Sequence, residues 1–568
     1  MKWLVCMVCV VEMLGCIAAR ADHGKPSRDV TISVVATNDM HGRLTQLPLF
    51  GGYVANLRAA RAADGGGVLL LDAGDMFQGT LASNLSEGAA MLRGYAALGY
   101  SAAALGNHEF DFGPLGPACT PAHADDDPLG ALRARIAEAK FPLLSSNLRA
   151  HDGAPVTKLL PGLRPSVLRE VAGVRIGIVG ALTMETLSAT HSANTGALSL
   201  VPLAASVDAE ARTLRAQGAQ LVIALVHAGG DCREVDDPND ISSCDARAEG
   251  FALARALTPG SVDLIVGGHT HAFVAQRVAG IPMIESGCNG RAFGRVDFTL
   301  RGGDPKQLSA RIFAPHPLCT DALERPVCAL ERYEGAKVER DATVLGAISE
   351  DLARARSAAE QPLGVEITAP LERASDVESP LSNLVVDLMR RAVPGAHAAF
   401  NNPGSVRVSL TPGPLTYGRM FEMLPFENRL ASVRMRVSDL AKVVSNSLQS
   451  DRGLVSLSGV RAVAACRAGR LDVSLTGDDG KPLPPQRMLK VVTSDYVVAS
   501  GDGLLTGVAL PEARIRIQPG PTMREALIMG LQRYTGGKID GSDPRIYDKQ
   551  KPRVRYTPPR PVSCQGPT

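Results

Sequence analysis

Residues 30–300 repeat one device, a short apolar and β-rich run followed by a cluster of polar residues. The runs are Val30–Ala36, Val68–Leu71, Ser101–Leu105, Val174–Val179, Leu221–Val226 and Val262–Val266. Segments of helical composition lie between them, among them Gly88–Leu98, Leu129–Ala139 and Ala204–Ala216. Short, continuously apolar strands alternating with helices predict an α/β fold with sheets covered on both faces. In such sheets ligands gather at the carboxyl ends of the strands, which is where the polar clusters fall.

The pattern changes after about residue 330. Residues 331–362 are rich in Ala, Glu and Arg with few aromatic anchors, and predict a helical linker. A second unit over residues 363–557 mixes strand-like runs (Leu430–Val437, Met488–Thr493) with helical ones (Leu381–Ala392, Val437–Leu448), as an α+β domain does. The tail, residues 558–568, is expected to be disordered. A chain of 568 residues exceeds what one core supports, so a first domain over residues 28–330, a linker and a second domain is the expected division.

Composition removes some partners. Sixty basic against 58 acidic residues give a net charge of +2, with no electrostatic case for nucleic acid or an anionic membrane. Residues 1–21 read as an export signal: Lys2 precedes the apolar run Trp3–Val11, which Glu12 interrupts. That run is far short of the roughly 20 residues that span a bilayer, and no other segment is long and apolar enough. Ala19-Arg20-Ala21 offers ordinary cleavage, whereas Met13-Leu14-Gly15-Cys16 loosely resembles a lipoprotein box that would leave a lipid anchor on Cys16. A soluble periplasmic form is the expectation. Eight cysteines follow residue 16, an even count that favours disulfides behind a signal. Cys232 with Cys244 and Cys319 with Cys328 are the nearest pairs. None forms a CxxC motif, which argues against a cysteine zinc site.

Five polar clusters each follow a strand: Asn38-Asp39-Met40-His41-Gly42, Asp72-Ala73-Gly74-Asp75, Gly106-Asn107-His108-Glu109-Phe110-Asp111, Val226-His227-Ala228-Gly229 and Gly267-Gly268-His269-Thr270-His271. On an extended backbone, residues i and i+2 point the same way, so Asp39 and His41 can reach one ion, and His269 and His271 can converge likewise. Carboxylate, imidazole and the Asn107 amide oxygen suit Mn, Zn, Co or Fe. One such cluster alone is usually a cap. Five in order hold five of the chain's eleven histidines, which chance placement does not explain. His23, His123, His151, His191, His316 and His397 lie outside them and are read as solvated.

These motifs, DxH, GDxxQG, GNHEFDxG, VHxG and GGHTH in that order, resemble the calcineurin-like metallophosphoesterases, in their 5′-nucleotidase/UDP-sugar hydrolase branch. The resemblance covers nearly all of the chain after the signal. It implies an N-terminal four-layer α/β–β/α sandwich joined by the linker to a substrate-binding domain. It implies one metal on Asp39, His41, Asp75 and His271, and another on Asp75, Asn107, His227 and His269. Asp75 would bridge two ions about 3.5–4 Å apart, a pair that activates water and clamps the phosphoryl oxygens. His108 and Asp111 match the family's catalytic dyad, and their i, i+3 spacing suits one helical turn.

The second domain carries the resemblance with departures. Leu424-Pro425-Phe426 is similar to the loop presenting one base-stacking aromatic. Tyr496, with Asp502 in Ser500-Gly501-Asp502-Gly503, is similar to the segment presenting the other. Two aromatics can sandwich any base, because every base has a π-face. The alternative is that both are core aromatics. Asn402 and Arg407 match an N-x4-R loop that would contact base and phosphate. The usual glycine triplet there reads Pro403-Gly404-Ser405, and Ser375 stands where the family usually has an arginine, with Arg373 two residues away. The implied activity is hydrolysis of 5′-nucleotides, with nucleotide sugars or cyclic nucleotides as additional substrates. The alternatives are another phosphoester or a sulfur ester at the same centre, or a tethered binding protein.

Overall fold

Strand Val30–Thr37 sorts its side chains by parity. Ile32, Val34 and Ala36 face one core and Val35 the opposite one, as a period of two requires. It lies inside a six-stranded sheet, ordered Leu308–Pro317, Ala292–Leu300, Val30–Thr37, Gly67–Asp72, Ala102–Ala104 and Leu143–Leu144. A second six-stranded sheet runs Phe273–Val278, Ile281–Ser286, Leu264–Val266, Leu221–His227, Val174–Leu182 and Ser166–Val171. The computed structural model of the protein describes residues 29–564, apart from 117–118, 122, 124, 304–306, 320–331, 500–502, 519 and 534. The expected signal, with Cys16, lies outside the described residues, as does Cys328 of one expected disulfide.

Ile32, Val34, Leu69 and Leu71 of the first sheet meet Ile176, Ile178, Ile223 and Leu225 of the second in one core. Burying each such side chain contributes about 2 kcal/mol, so an aspartate at Val34 would place an unpaired charge between the sheets. Helices Leu47–Asp64 and Ala89–Leu98 cover the first sheet, and Leu203–Ala216 and Glu249–Ala256 the second. The four layers match the expectation. Helix Leu47–Asp64 escaped the sequence reading because Pro48, Gly51 and Gly52 dilute its helical signal. Gly52 is there for room: a Cβ would lie 1.9 Å from the carbonyl oxygen of Glu339.

Two expectations need correction. The described part of the linker is helical only over Ala342–Ala359, capped by Asp341. Before it, Arg332–Tyr333 and Ala336–Lys337 form a hairpin whose turn, Glu334-Gly335, has both residues left-handed. The described part of the tail is packed rather than free. Val562 is 3% exposed and donates its N–H to the Leu448 carbonyl, and Cys564 is disulfide-bonded to Cys466. The expected Cys232–Cys244 disulfide is present. Among the described residues no helix is long and apolar enough to cross a membrane.

After the linker, a five-stranded sheet is ordered Ser456–Ser458, Ala398–Asn401, Met488–Ser494, Leu430–Arg436 and Ile515–Ile517, flanked by helices Pro380–Ala392 and Val437–Gln449. Two three-stranded sheets complete this unit. The linker helix is tied to the first domain by Asp351, which is 3% exposed and pairs with Arg93 at 2.6 Å.

Candidate metal centre

Each polar cluster sits where its strand ends. Strand Val30–Thr37 stops two residues before Asp39, and the backbone then turns left-handed at Asp39 (φ 49°) and His41 (φ 46°). The same happens at Asp75 (57°), His269 (81°) and His271 (60°). The expected extended backbone therefore does not persist, and His269 and His271 fall into different groups. Left-handed non-glycine residues cost about 1–3 kcal/mol each and persist only where surroundings impose them. Here the loops zip together: Asp39 N–H donates to Gly74 O (2.9 Å), His41 N–H to Asp75 O (2.9 Å) and Gly42 N–H to Met76 O (2.8 Å).

The side chains converge in two adjoining groups, Asp39 with His41 and His271, and Asp75 with His227 and His269, and His41 and Asp75 also meet across them beside His108. Asn107 joins the second group, its Oδ1 3.2 Å from His227 Nε2. Hydrogen-bond logic then tests whether these groups fit cations. His41 Nδ1 lies 3.0 Å from the Gln78 carbonyl and His227 Nδ1 2.9 Å from the Ala73 carbonyl. A carbonyl only accepts, so in both rings Nδ1 holds the hydrogen and a neutral ring presents the lone pair of Nε2 to the centre. His41 Nε2 faces His271 Nε2 at 3.0 Å, and His227 Nε2 faces Asp75 Oδ2 at 3.1 Å as well as Asn107 Oδ1. Burial opposes charge on His227, but the Asp75 and Asp39 carboxylates outweigh it and raise that ring to about 10, so without a cation its Nε2 carries a hydrogen toward Asp75, and a cation would take that hydrogen's place. Burial pushes His41 down to about 4, keeping that ring neutral.

His108 and Asp111 meet across one 3-10 turn, Nδ1 to Oδ2 at 2.5 Å. Burial opposes a charged ring at His108, but the Asp111 and Asp75 carboxylates together outweigh it and raise its pKa to about 9. Thr190 donates to the other oxygen of Asp111 at 2.8 Å, fixing the carboxylate. Sequence reading missed Thr190, and it read His191 as solvated although that ring lines the cleft. It also assigned Glu109 nothing. Glu109, 1% exposed, accepts backbone N–H bonds from Asp75, Met76, Phe77 and Gly106, and so shapes the Asp75 loop. Burial pushes its carboxyl up towards about 8, yet two N–H donors on each oxygen require the ionised form.

The cleft continues into the second domain. A cavity of about 340 Å³ is lined by His108, Asp111, Asn402, Arg407, Phe426 and Tyr496, among others. A larger one of about 860 Å³ opens beside His41, Gln78, Arg356, Arg407 and Phe426. Phe426 and Tyr496 thus border the cavity, though Tyr496 also packs against the domain core. Gln78 donates to the Pro425 carbonyl across the domains at 3.2 Å. Asp502 lies outside the described residues. Arg373 is not in this lining. Its Nε donates to the Val406 carbonyl at 2.6 Å, bracing the Arg407 loop from behind.

Fold and centre together define a two-domain, metal-dependent phosphoester hydrolase. Residues 32–273 match the calcineurin-like phosphoesterase family and residues 357–509 the 5′-nucleotidase C-terminal domain family. Over 508 residues the chain is 27% identical to Protein UshA of Yersinia enterocolitica, covering 83% of this chain and 86% of that protein. It is 25% identical to a 5′-nucleotidase of Vibrio cholerae, covering 89% and 91%. A crystal structure of a 5′-nucleotidase precursor from Thermus thermophilus shares the fold, with a TM-score of 0.65 at 22% identity over 93% of this chain and 99% of that one. The chain belongs to the calcineurin-like phosphoesterases that carry a 5′-nucleotidase C-terminal domain.

Proposed function

We propose that the chain releases phosphate from 5′-nucleotides, with two divalent cations (Mn, Zn or Co) held by Asp39, His41, Asp75 and His271 and by Asp75, Asn107, His227 and His269. The observation that carries this reading is the meeting of two groups of lone-pair donors with the His108–Asp111 pair and the Arg407–Phe426–Tyr496 side of the second domain in one cleft. The relatives named 5′-nucleotidase support the substrate class.

Cations at such a centre supply an acidified water and neutralise charge on phosphoryl oxygens. His108, protonated at neutral pH, donates toward phosphoryl or leaving oxygen, while Asp111 orients its ring. Arg407 reads phosphate, Asn402 and Asp502 the nucleoside, and Phe426 with Tyr496 stacks the base. Nucleotide sugars and cyclic nucleotides share the phosphate and base that these groups would recognise. We further read residues 1–21 as a signal for export to the periplasm or cell surface, with Cys16 the residue for a lipid anchor if one is added, and nucleic acid as no partner.

The test is phosphate release from AMP by purified protein reconstituted with Mn2+, against bis-(p-nitrophenyl) phosphate, with His108→Ala alongside. Cleavage of AMP that the variant loses supports the reading. Cleavage of the generic ester alone would remove the nucleotide assignment and leave the centre.

A further inference from the structure

Thr270 stands between His269 and His271, and its hydroxyl is caught between two acceptors. Thr270 Oγ1 lies 2.6 Å from the Gly230 carbonyl oxygen and 2.7 Å from Glu285 Oε1. A hydroxyl has one hydrogen, so it satisfies only one of these contacts, and the other needs a hydrogen from its partner. A carbonyl has none to give. A glutamate has one only as the free acid. Glu285 Oε2 accepts the Gly230 N–H at 3.0 Å, which leaves Oε1 as the protonated oxygen.

We propose that Glu285 is a neutral carboxylic acid that donates to Thr270, that Thr270 donates to the Gly230 carbonyl, and that this relay pins the His269–His271 loop to the turn after strand Leu221–His227. Glu285 is then a positioning residue for the centre, an inference that rests on the reading of His269 and His271 as metal ligands. The loop needs such a brace, since both histidines are left-handed.

The surroundings agree. Glu285 is 1% exposed on strand Ile281–Ser286, and a Cβ on Gly229 would lie 2.3 Å from Thr270 Oγ1 and 2.4 Å from Glu285 Oε2, so the relay is tightly enclosed on that side. Burial pushes the Glu285 carboxyl up to about 8. Of the charged groups facing it, Asp39 disfavours an anion there and His227 favours one. Glu109 provides the internal contrast: equally buried, it has two N–H donors on each oxygen, whereas Glu285 has one N–H and a single hydroxyl for which the Gly230 carbonyl competes.

Glutamine copies the acid's pattern, its amide donating to Thr270 and its oxygen accepting from Gly230. Mn2+ affinity by equilibrium dialysis is therefore expected to stay within about twofold in Glu285→Gln and to weaken by about 10–100-fold in Glu285→Ala. Infrared spectra at neutral pH should show a protonated-carboxyl stretch in the parent protein that Glu285→Gln lacks. A glutamine variant weakened tenfold, with no such band in the parent, would overturn the neutral acid. Unchanged affinity in Glu285→Ala would overturn the positioning role. If the alanine variant does not fold, the glutamine variant and the band decide. If the parent protein binds no Mn2+, the metal reading fails, while the band still reports the acid.

Discussion

The guanidinium of Arg407 lies over the ring of Phe426, 5.0 Å from its centroid. The side chain proposed to read phosphate thus leans on the one proposed to read the base, and one face of Phe426 is committed to that cation–π contact. Only the other face is left for stacking. Phe426→Ala should therefore disturb both readers, while Tyr496→Ala should disturb one. We expect KM for AMP to rise about tenfold or more in Phe426→Ala, since stacking on an aromatic is worth about 1–3 kcal/mol per base. KM for bis-(p-nitrophenyl) phosphate, which has no base, should move less. Equal changes for both esters would count against base stacking.

His108→Ala should lower kcat by about 10²–10⁴, the usual share of a positioned proton donor. The pH dependence follows from the raised pKa. With its folded pKa lifted from 6.5 to about 9, His108 stays charged through neutrality. The stabilisation from its carboxylate neighbours is complete below pH 6.5 and lost as pH rises through about 9. Activity should fall over the same upper range, and Asp111→Asn should move that fall to lower pH. A pH–rate profile unchanged by Asp111→Asn would exclude the pairing as the cause.

Asp75 links the two groups: its Oδ2 lies 3.1 Å from His227 Nε2 in one, and its carboxylate lies within 4.8 Å of a ring nitrogen of His41 in the other. Asp75→Ala is expected to bind fewer than two metal ions per chain by elemental analysis, and to lose turnover. Chelator treatment of the parent protein should abolish turnover reversibly, with Mn2+ restoring it. Full metal content in Asp75→Ala would refute a bridging carboxylate.

The Cys466–Cys564 disulfide closes a separation of 98 residues. On chain-entropy grounds a loop of that size contributes about 4–5 kcal/mol. Replacing both cysteines by serine should lower the melting temperature of the second domain by calorimetry, with the metal content of the first domain retained. Loss of metal at the same temperature would mean that the two domains unfold as one unit.

Much of the site was legible because each ligand lies within a short motif at a strand end, and strand ends are easy to find in apolar runs. The reason they converge was not legible. Asp39 and His41 meet through left-handed turns that the Asp75 loop imposes across the sheet, a non-local effect. Thr190 and His191 carry no local motif, and only the path of the chain after strand Val174–Leu182 brings Thr190 to Asp111 and His191 to the cleft. The Glu334-Gly335 turn did leave a trace, a residue before glycine between two short strands, hidden by a helical composition around it. Cysteine counting could not connect residues 466 and 564, since connectivity depends on the completed fold.

The packed tail has a consequence for the order in which a chain is made. Strand Ala292–Leu300 and its neighbour Leu308–Pro317 close the first sheet, so every proposed ligand can be in place when little more than half the protein has been synthesised. Tyr496 leans on the cluster that contains Val554 and Val562, and strand Val554–Thr557 completes a sheet beside Val460–Arg467. The half that would tell one ester from another is finished only once residues 554–564 are in place. A chain cut short near its end would be left with a centre able to cleave and an incomplete surface for choosing what to cleave.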